Sequence, residues 1–304
     1  MRCTMKNTTY VAFAALGLIW GTNFIFMKWA SALITPGQIV LLRVFFGFVP
    51  ILAYALFTRS LRWHHLRYAH HFLVMSLLAT AIYYYAFAKG TSLLPSSVAG
   101  MLSGAIPLFT FVTSFVFLRD EALTARMAAG IGAGFLGVLL IAQPWHADSA
   151  TINLQGVLYM VIGSLSLGCS FVYARRFWSG IDISPVALST YQMGLALIII
   201  AAVTDFTGLA NITTDTRAML GVSLGLGLLG TGLAFILYYT LVQKLGAVAA
   251  SGVTYIPPLV AIVIGTVFAG ESLRPDHILA IVAIMGGVYL LQTGRKRLQV
   301  MTVK

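Results

Sequence analysis

The sequence predicts an all-α integral membrane protein of ten transmembrane helices, arranged as a five-plus-five inverted-topology repeat. Three observations predict it: a strongly apolar composition, ten apolar runs of spanning length, and ordered matches between the two halves of the chain. Hydrophobic residues make up 59% and charged residues 9% of the 304 positions, and the mean hydropathy is +0.92. A soluble domain carries roughly 25% charged residues. At about 20 apolar residues per span plus short connectors, the length accommodates about ten helices and little else.

The apolar runs cover residues 10–34, 36–57, 72–93, 97–118, 127–143, 154–177, 185–204, 218–242, 247–270 and 276–293. Pro36, Pro185 and Pro275 stand at or just before span starts, where the absent N–H costs nothing because first-turn donors are unpaired anyway. Arg2 and Lys6 precede a first run too long for a secretion signal and lacking a clear small-x-small cleavage site, so it reads as the first span. With the N-terminus assigned to the cytoplasm, fourteen Lys and Arg fall on inner connectors and four on outer ones. That bias places both termini inside, in a multi-pass protein of the cell inner (plasma) membrane. The same distribution accounts for the net charge of +11: the basic residues sit in short connectors between apolar runs, which excludes a continuous nucleic-acid-binding face.

The internal repeat supplies the topology. Val98, Ala99, Ile106 and Pro107 match Val248, Ala249, Ile256 and Pro257 at an offset of 150, which Glu121 and Glu271 also keep, as do Gly137-Val138 and Gly287-Val288. Pro36 and Pro185 differ by 149, and Gly21, Phe24 and Lys28 correspond to Gly168, Phe171 and Arg175 at 147. Residues 1–147 and 148–304 therefore form two five-helix repeats, and an odd number of spans per repeat inserts the second in the opposite sense. Halves related by an in-plane pseudo-two-fold axis pack in two near-equivalent ways, so a binding site is expected near the midplane between them.

Pro107 and Pro257 occupy matching places in spans four and nine and are expected to kink those helices as a gating pair. The candidate cavity residues are Trp20 and Asn23 in span one, Thr80 and Tyr84 in span three, Met101 in span four, Thr231 and Tyr238 in span eight, and Ser251 and Tyr255 before Pro257. Rings with scattered hydroxyl and amide groups suit neutral, zwitterionic or aromatic small-molecule substrates. Arg43 lies seven residues beyond Pro36 and needs a partner; it either faces the cavity and attracts an anionic group, or is clamped by helix-end carbonyls or by an acid such as Glu271. Lys28 and Lys89 are close enough to span ends to snorkel.

The eight acidic residues fall in connectors or at span ends, which argues for gradient-driven uniport or exchange rather than proton antiport. His64, His65, His70 and His71 lack acidic or thiol partners and read as a solvated, headgroup-facing loop, so no metal site and no cofactor are expected. The formal GxGxxG of Gly225–Gly230 lies within an apolar helix with no preceding strand. Gly130-x-x-x-Gly134 offers a small-residue face either for a neighbouring span or for a homodimer.

Trp20-Gly21-Thr22-Asn23-Phe24, Pro36 with Arg43, the proline-centred fourth span ending in Leu118-Arg119-Asp120-Glu121, and Phe268-Ala269-Gly270-Glu271 together resemble the EamA-type transporters of the drug/metabolite transporter superfamily. The resemblance covers nearly the whole chain. It implies ten helices, cytoplasmic termini, a central cavity lined by spans one, three, four, six, eight and nine, and export of small metabolites, often amino acids or their derivatives, with Glu121 and Glu271 as structural helix-end acids. Gly168-Cys169-Ser170 stands where Trp20 would recur, which makes the expected cavity asymmetric. Two alternatives are a carrier of nucleotide-linked or phosphorylated compounds, which needs more cavity cations than Arg43, and a membrane enzyme, which needs a clustered acid, histidine or nucleophile. The chain is accordingly expected to be a transporter and not an enzyme.

Overall fold

The computed structural model describes residues 2–118, 124–143, 153–178, 181–245 and 252–302. Among them, all regular structure is helical. In chain order the spans are α1 (Arg2–Ser31), α2 (Pro36–Phe57), α3 (Trp63–Leu93), α4 (Ser96–Phe117), α5 (Ala125–Ala142), α6 (Leu154–Phe177), α7 (Pro185–Val203), α8 (Thr216–Tyr238, continuing to Leu245), α9 (Val253–Phe268) and α10 (Pro275–Thr302). Nine of these are long and apolar enough to cross a membrane, and α9 is a shorter apolar helix. The expected repeat boundary at 147/148 lies outside the described residues.

Local chemistry explains where the helices begin. Asn153 and Ser184 cap α6 and α7 by accepting from the backbone of Gly156 and Ala187, and Thr124 does the same for α5 through Met127. Thr35 and Gln38 form a reciprocal capping box on α2, a device that contributes about 0.5–2 kcal/mol. Gln38 Nε2 also donates to the carbonyls of Asp205 and Thr207 at 2.7 and 2.8 Å, which ties the N-terminal end of α2 to the connector after α7. Asp205 accepts from Thr207 N–H, and that backbone hydrogen bond holds its carboxyl below the ordinary value.

Helix contacts pair the two halves. α1 packs on α9 as α6 packs on α4, α2 on α8 as α7 on α3, and α3 on α6 as α8 on α1; α2–α7, α4–α9 and α5–α10 pair with their own counterparts. Each of these contacts thus has an image under exchange of the halves. Lipid offers no hydrophobic drive for such pairing, so close van der Waals approach has to provide it. The α5–α10 contact shows how: a Cβ on Gly130 would lie 2.6 Å from the Gly287 carbonyl, and one on Gly137 2.7 Å from that of Ala280. Gly130 and Gly134 are therefore spent on a contact within the chain.

The proline positions differ from the expected kinks. α4 is two helices, Ser96–Ser103 and Ile106–Leu118, joined at Gly104-Ala105 by tight bonds to Met101 and Leu102. In α9 a 3₁₀ turn, Gly252–Tyr255, leads into the helix Ile256–Phe268. Pro107 and Pro257 thus stand in the first turn of a new helix, where no N–H is needed, rather than bending a continuous one. A second departure from regular helix is also paired: α3 carries a π turn at Leu77–Ala81 and α8 a π segment at Gly221–Leu233. Such turns free or redirect backbone groups and concentrate at functional sites.

Candidate functional site

The buried charge of Arg43 organises the centre of the bundle. Its side chain is 4% exposed. The Nε–H donates to Thr231 Oγ1 at 3.0 Å, and the guanidinium carbon lies 3.8 Å from the centroid of the Tyr84 ring. The Asn23 amide, oriented to satisfy both neighbours, accepts from Arg43 Nη2 at 3.2 Å and donates to the Ile19 carbonyl at 3.2 Å. Four candidate residues from α1, α2, α3 and α8 thus meet at one point, three from the first half and one from the second. The described contacts of Arg43 include no carboxylate. The ring face and the oxygens offset part of the cost of burying the charge, but they do not neutralise it.

Small residues make the convergence sterically feasible. A Cβ on Gly230 would collide with the Asn23 side chain, and one on Gly47 would lie 2.6 Å from Thr231 Cβ. The π segment positions the acceptor: Thr231 Oγ1 donates in turn to the Leu226 carbonyl, five residues back, at 2.9 Å, leaving its lone pairs for Arg43.

The remaining candidates lie around this cluster in separate groups. Trp20 and Tyr238 face each other across α1 and α8 with ring centroids 5.8 Å apart. Met101 is fully buried at the end of the first α4 segment. Thr80, wholly buried, accepts from Gln192 Nε2 of α7 at 2.9 Å. The Tyr255 hydroxyl accepts from Gln292 Nε2 of α10. Ser251 lies outside the described residues.

Two partners differ from expectation. Glu271 does not hold Arg43; its Oε1 accepts from the backbone N–H and hydroxyl of Ser96 at 2.7 and 2.8 Å, and its Oε2 from Ser97 N–H at 2.8 Å. Burial pushes the Glu271 carboxyl up, and the hydrogen bonds from Ser97 and Ser96 outweigh it and hold the group below its ordinary value. The helix-end carbonyls are taken instead by Lys28, whose Nζ donates to Leu94 at 2.8 Å, Ser92 at 3.3 Å and Thr91 at 3.4 Å. Lys28 and Glu271 together clamp the α3–α4 connector from α1 and from the α9–α10 connector. This follows from helix polarity, because cations suit C-terminal carbonyls and anions N-terminal amides.

The histidines also depart from a solvated loop. His64 and His70 are exposed, but His65 is buried and His71 Nδ1 is bonded to Tyr173 Oη at 2.6 Å. Among the described residues no group of three His, Cys, Asp or Glu could hold a metal.

A cavity of about 570 Å³ lies elsewhere, lined by residues of α2, α3, α6 and α7 that include Val40, Ile82, Tyr85, Tyr159, Ile162 and Val203. None of the candidate residues lines it. Its wall is mostly apolar, with Thr35, Thr204 and Asp205 at one end, and Tyr85, Ile162 and Val203 are exposed on the outside of the bundle, so it is a lateral groove apart from Arg43 and its partners.

Sequence comparison places this arrangement among transporters. The model of the EamA-like transporter family matches residues 7–143 and again residues 154–293. The chain is 25% identical over 276 residues to the uncharacterized transporter YoaV of Bacillus subtilis (strain 168), covering 90% of this chain and 92% of that one. It is 24% identical over 306 residues to the uncharacterized inner membrane transporter YedA of Escherichia coli (strain K12), covering 97% and 94%. A solved crystal structure with 21% identity shares the fold at a TM-score of 0.59, covering 94% of this chain and 98% of its own. With both halves matched by the family model, this multi-pass membrane protein belongs to the EamA-like transporter family.

Proposed function

We propose that the chain is a secondary transporter that exports small organic metabolites, amino-acid-like carboxylates first, by alternating access between its two halves. One observation carries this reading. A guanidinium from the first half is buried against Thr231 of the second, with a ring and an amide around it and no carboxylate among its described contacts. A charge kept in that state is costly, which marks it as functional, and a ligand carboxylate is the partner that completes its hydrogen bonds. Trp20 and Tyr238, within the same α1–α8 seam, would supply apolar walls for the ligand body. The breaks at Pro107 and Pro257 would act as hinges in α4 and α9, and the Lys28–Glu271 clamp would keep the outer side closed while it holds. The fourteen-to-four distribution of Lys and Arg supports cytoplasmic termini in the inner membrane.

Purified protein in liposomes, tested for counterflow of labelled L-amino acids with and without a pH gradient, checks the reading. Saturable exchange independent of the gradient and reduced about tenfold or more in Arg43→Gln is expected. No uptake of any carboxylate-bearing solute, or full activity in Arg43→Gln, would overturn it.

A further inference from the structure

The pseudo-symmetry gives Arg43 a counterpart. Gln192 follows Arg43 at an offset of 149, the offset that relates Pro185 to Pro36, so each lies seven residues into its span, α2 or α7. The side chains repeat one contact. Arg43 reaches Thr231 on the π segment of α8 at 3.0 Å, and Gln192 reaches Thr80 on the π turn of α3 at 2.9 Å. Gln192 is 1% exposed, and its Oε1 has no hydrogen-bond partner among the described residues. A buried acceptor left unpaired costs about 1–3 kcal/mol and calls for an explanation.

Position along α3 brings the two ends together. Arg43 covers Tyr84 and Gln192 covers Thr80, four residues away and about 6 Å along the helix. A rise of that size along one helix sets the two contacts within the span of a small molecule that makes a charge-assisted hydrogen bond of about 2.8 Å at each end. The pair is also chemically lopsided, with a cation at one end and a neutral acceptor at the other.

We infer that Gln192 is the second, specificity-determining end of the substrate site, its Oε1 accepting from the ammonium group of an amino-acid-like zwitterion whose carboxylate is held by Arg43. The inference rests on the transport reading above and narrows it. A carbonyl oxygen accepts from an ammonium and offers nothing to a second carboxylate, so the site selects zwitterions over dicarboxylates. An arginine at this position would reverse that preference.

Proteoliposomes loaded with labelled L-amino acids, their des-amino monocarboxylic acids or succinate test this with wild type, Gln192→Met and Gln192→Arg. Gln192→Met is expected to raise KM for amino acids about tenfold or more and that for the des-amino acids by less than about twofold, as loss of one hydrogen bond to a charged group requires. Gln192→Arg is expected to move succinate in preference to amino acids. Amino-acid transport unchanged in Gln192→Met, or an equal rise for both ligand classes, overturns the role of Gln192 and leaves the transport reading standing. A wild type that moves none of these solutes overturns both. A monodisperse gel-filtration profile and an unfolding midpoint close to that of wild type are the control that both variants fold.

Discussion

Arg43 on Thr231 and Gln192 on Thr80 are the same contact made twice, once with a charge and once without. Duplication supplied the geometry, and divergence at one position in each half supplied the chemistry. Asn23 has a similar history: it reaches Arg43, whereas Ser170, its counterpart at the offset of 147, turns back to its own helix at Leu167. The backbone can therefore remain near-symmetric, as the proposed alternation between two openings would demand, while the proposed ligand would meet two different ends.

The largest effect should come from erasing the difference. Arg43→Gln makes the two contacts alike, and transport is expected to fall about ten- to hundredfold, matching loss of charge-assisted bonds of about 1.5–3 kcal/mol. Initial rates in proteoliposomes measure it. Thr231→Val is expected to follow closely, because it removes an acceptor from a guanidinium that stays buried. Next comes the shared seam between the halves: Gly287→Val drives a side chain against the backbone of Gly134, since a Cβ added at Gly287 would lie 2.6 Å from the Gly134 amide nitrogen. A cost of about 1–3 kcal/mol is expected, read as a lower unfolding midpoint in detergent.

The Lys28–Glu271 clamp gives a smaller effect with a pH signature. Glu271→Gln removes the anion from the α4 N-terminus, at a cost of about 0.5–2 kcal/mol. The Glu271 carboxyl titrates lower in the folded protein than its ordinary value of 4.5, so its stabilisation is full above that value and is lost as the pH falls through the folded pKa. Unfolding midpoints of wild type should therefore drop below about pH 4.5 more steeply than those of Glu271→Gln. The smallest effect is expected for Thr80→Val, which removes a neutral contact of about 0.5–1.5 kcal/mol; comparing it with Thr231→Val measures what the charge adds.

Much of this was legible in the order of residues. Hydropathy runs and prolines located the spans, and Asn23, Arg43, Tyr84 and Thr231 each stood out as polar or aromatic groups within apolar helices. Gln192 gives no such signal, because an amide in an apolar run carries no charge, although its offset of 149 from Arg43 is visible in the numbering. The partners of Glu271 and Lys28 were not legible, since both act on backbone groups, which every sequence has.

Span number, repeat and membrane residence follow from the chain alone, because hydrocarbon demands about 20 apolar residues per helix and the offsets survive in the numbering. Which polar groups meet was decided only by tertiary structure. The Arg43–Thr231 pair joins residues 188 apart and the Gln192–Thr80 pair residues 112 apart. Their encounter depends on how closely glycine faces let helices approach and on where π turns rotate a hydroxyl inward, and neither quantity is written in local spacing.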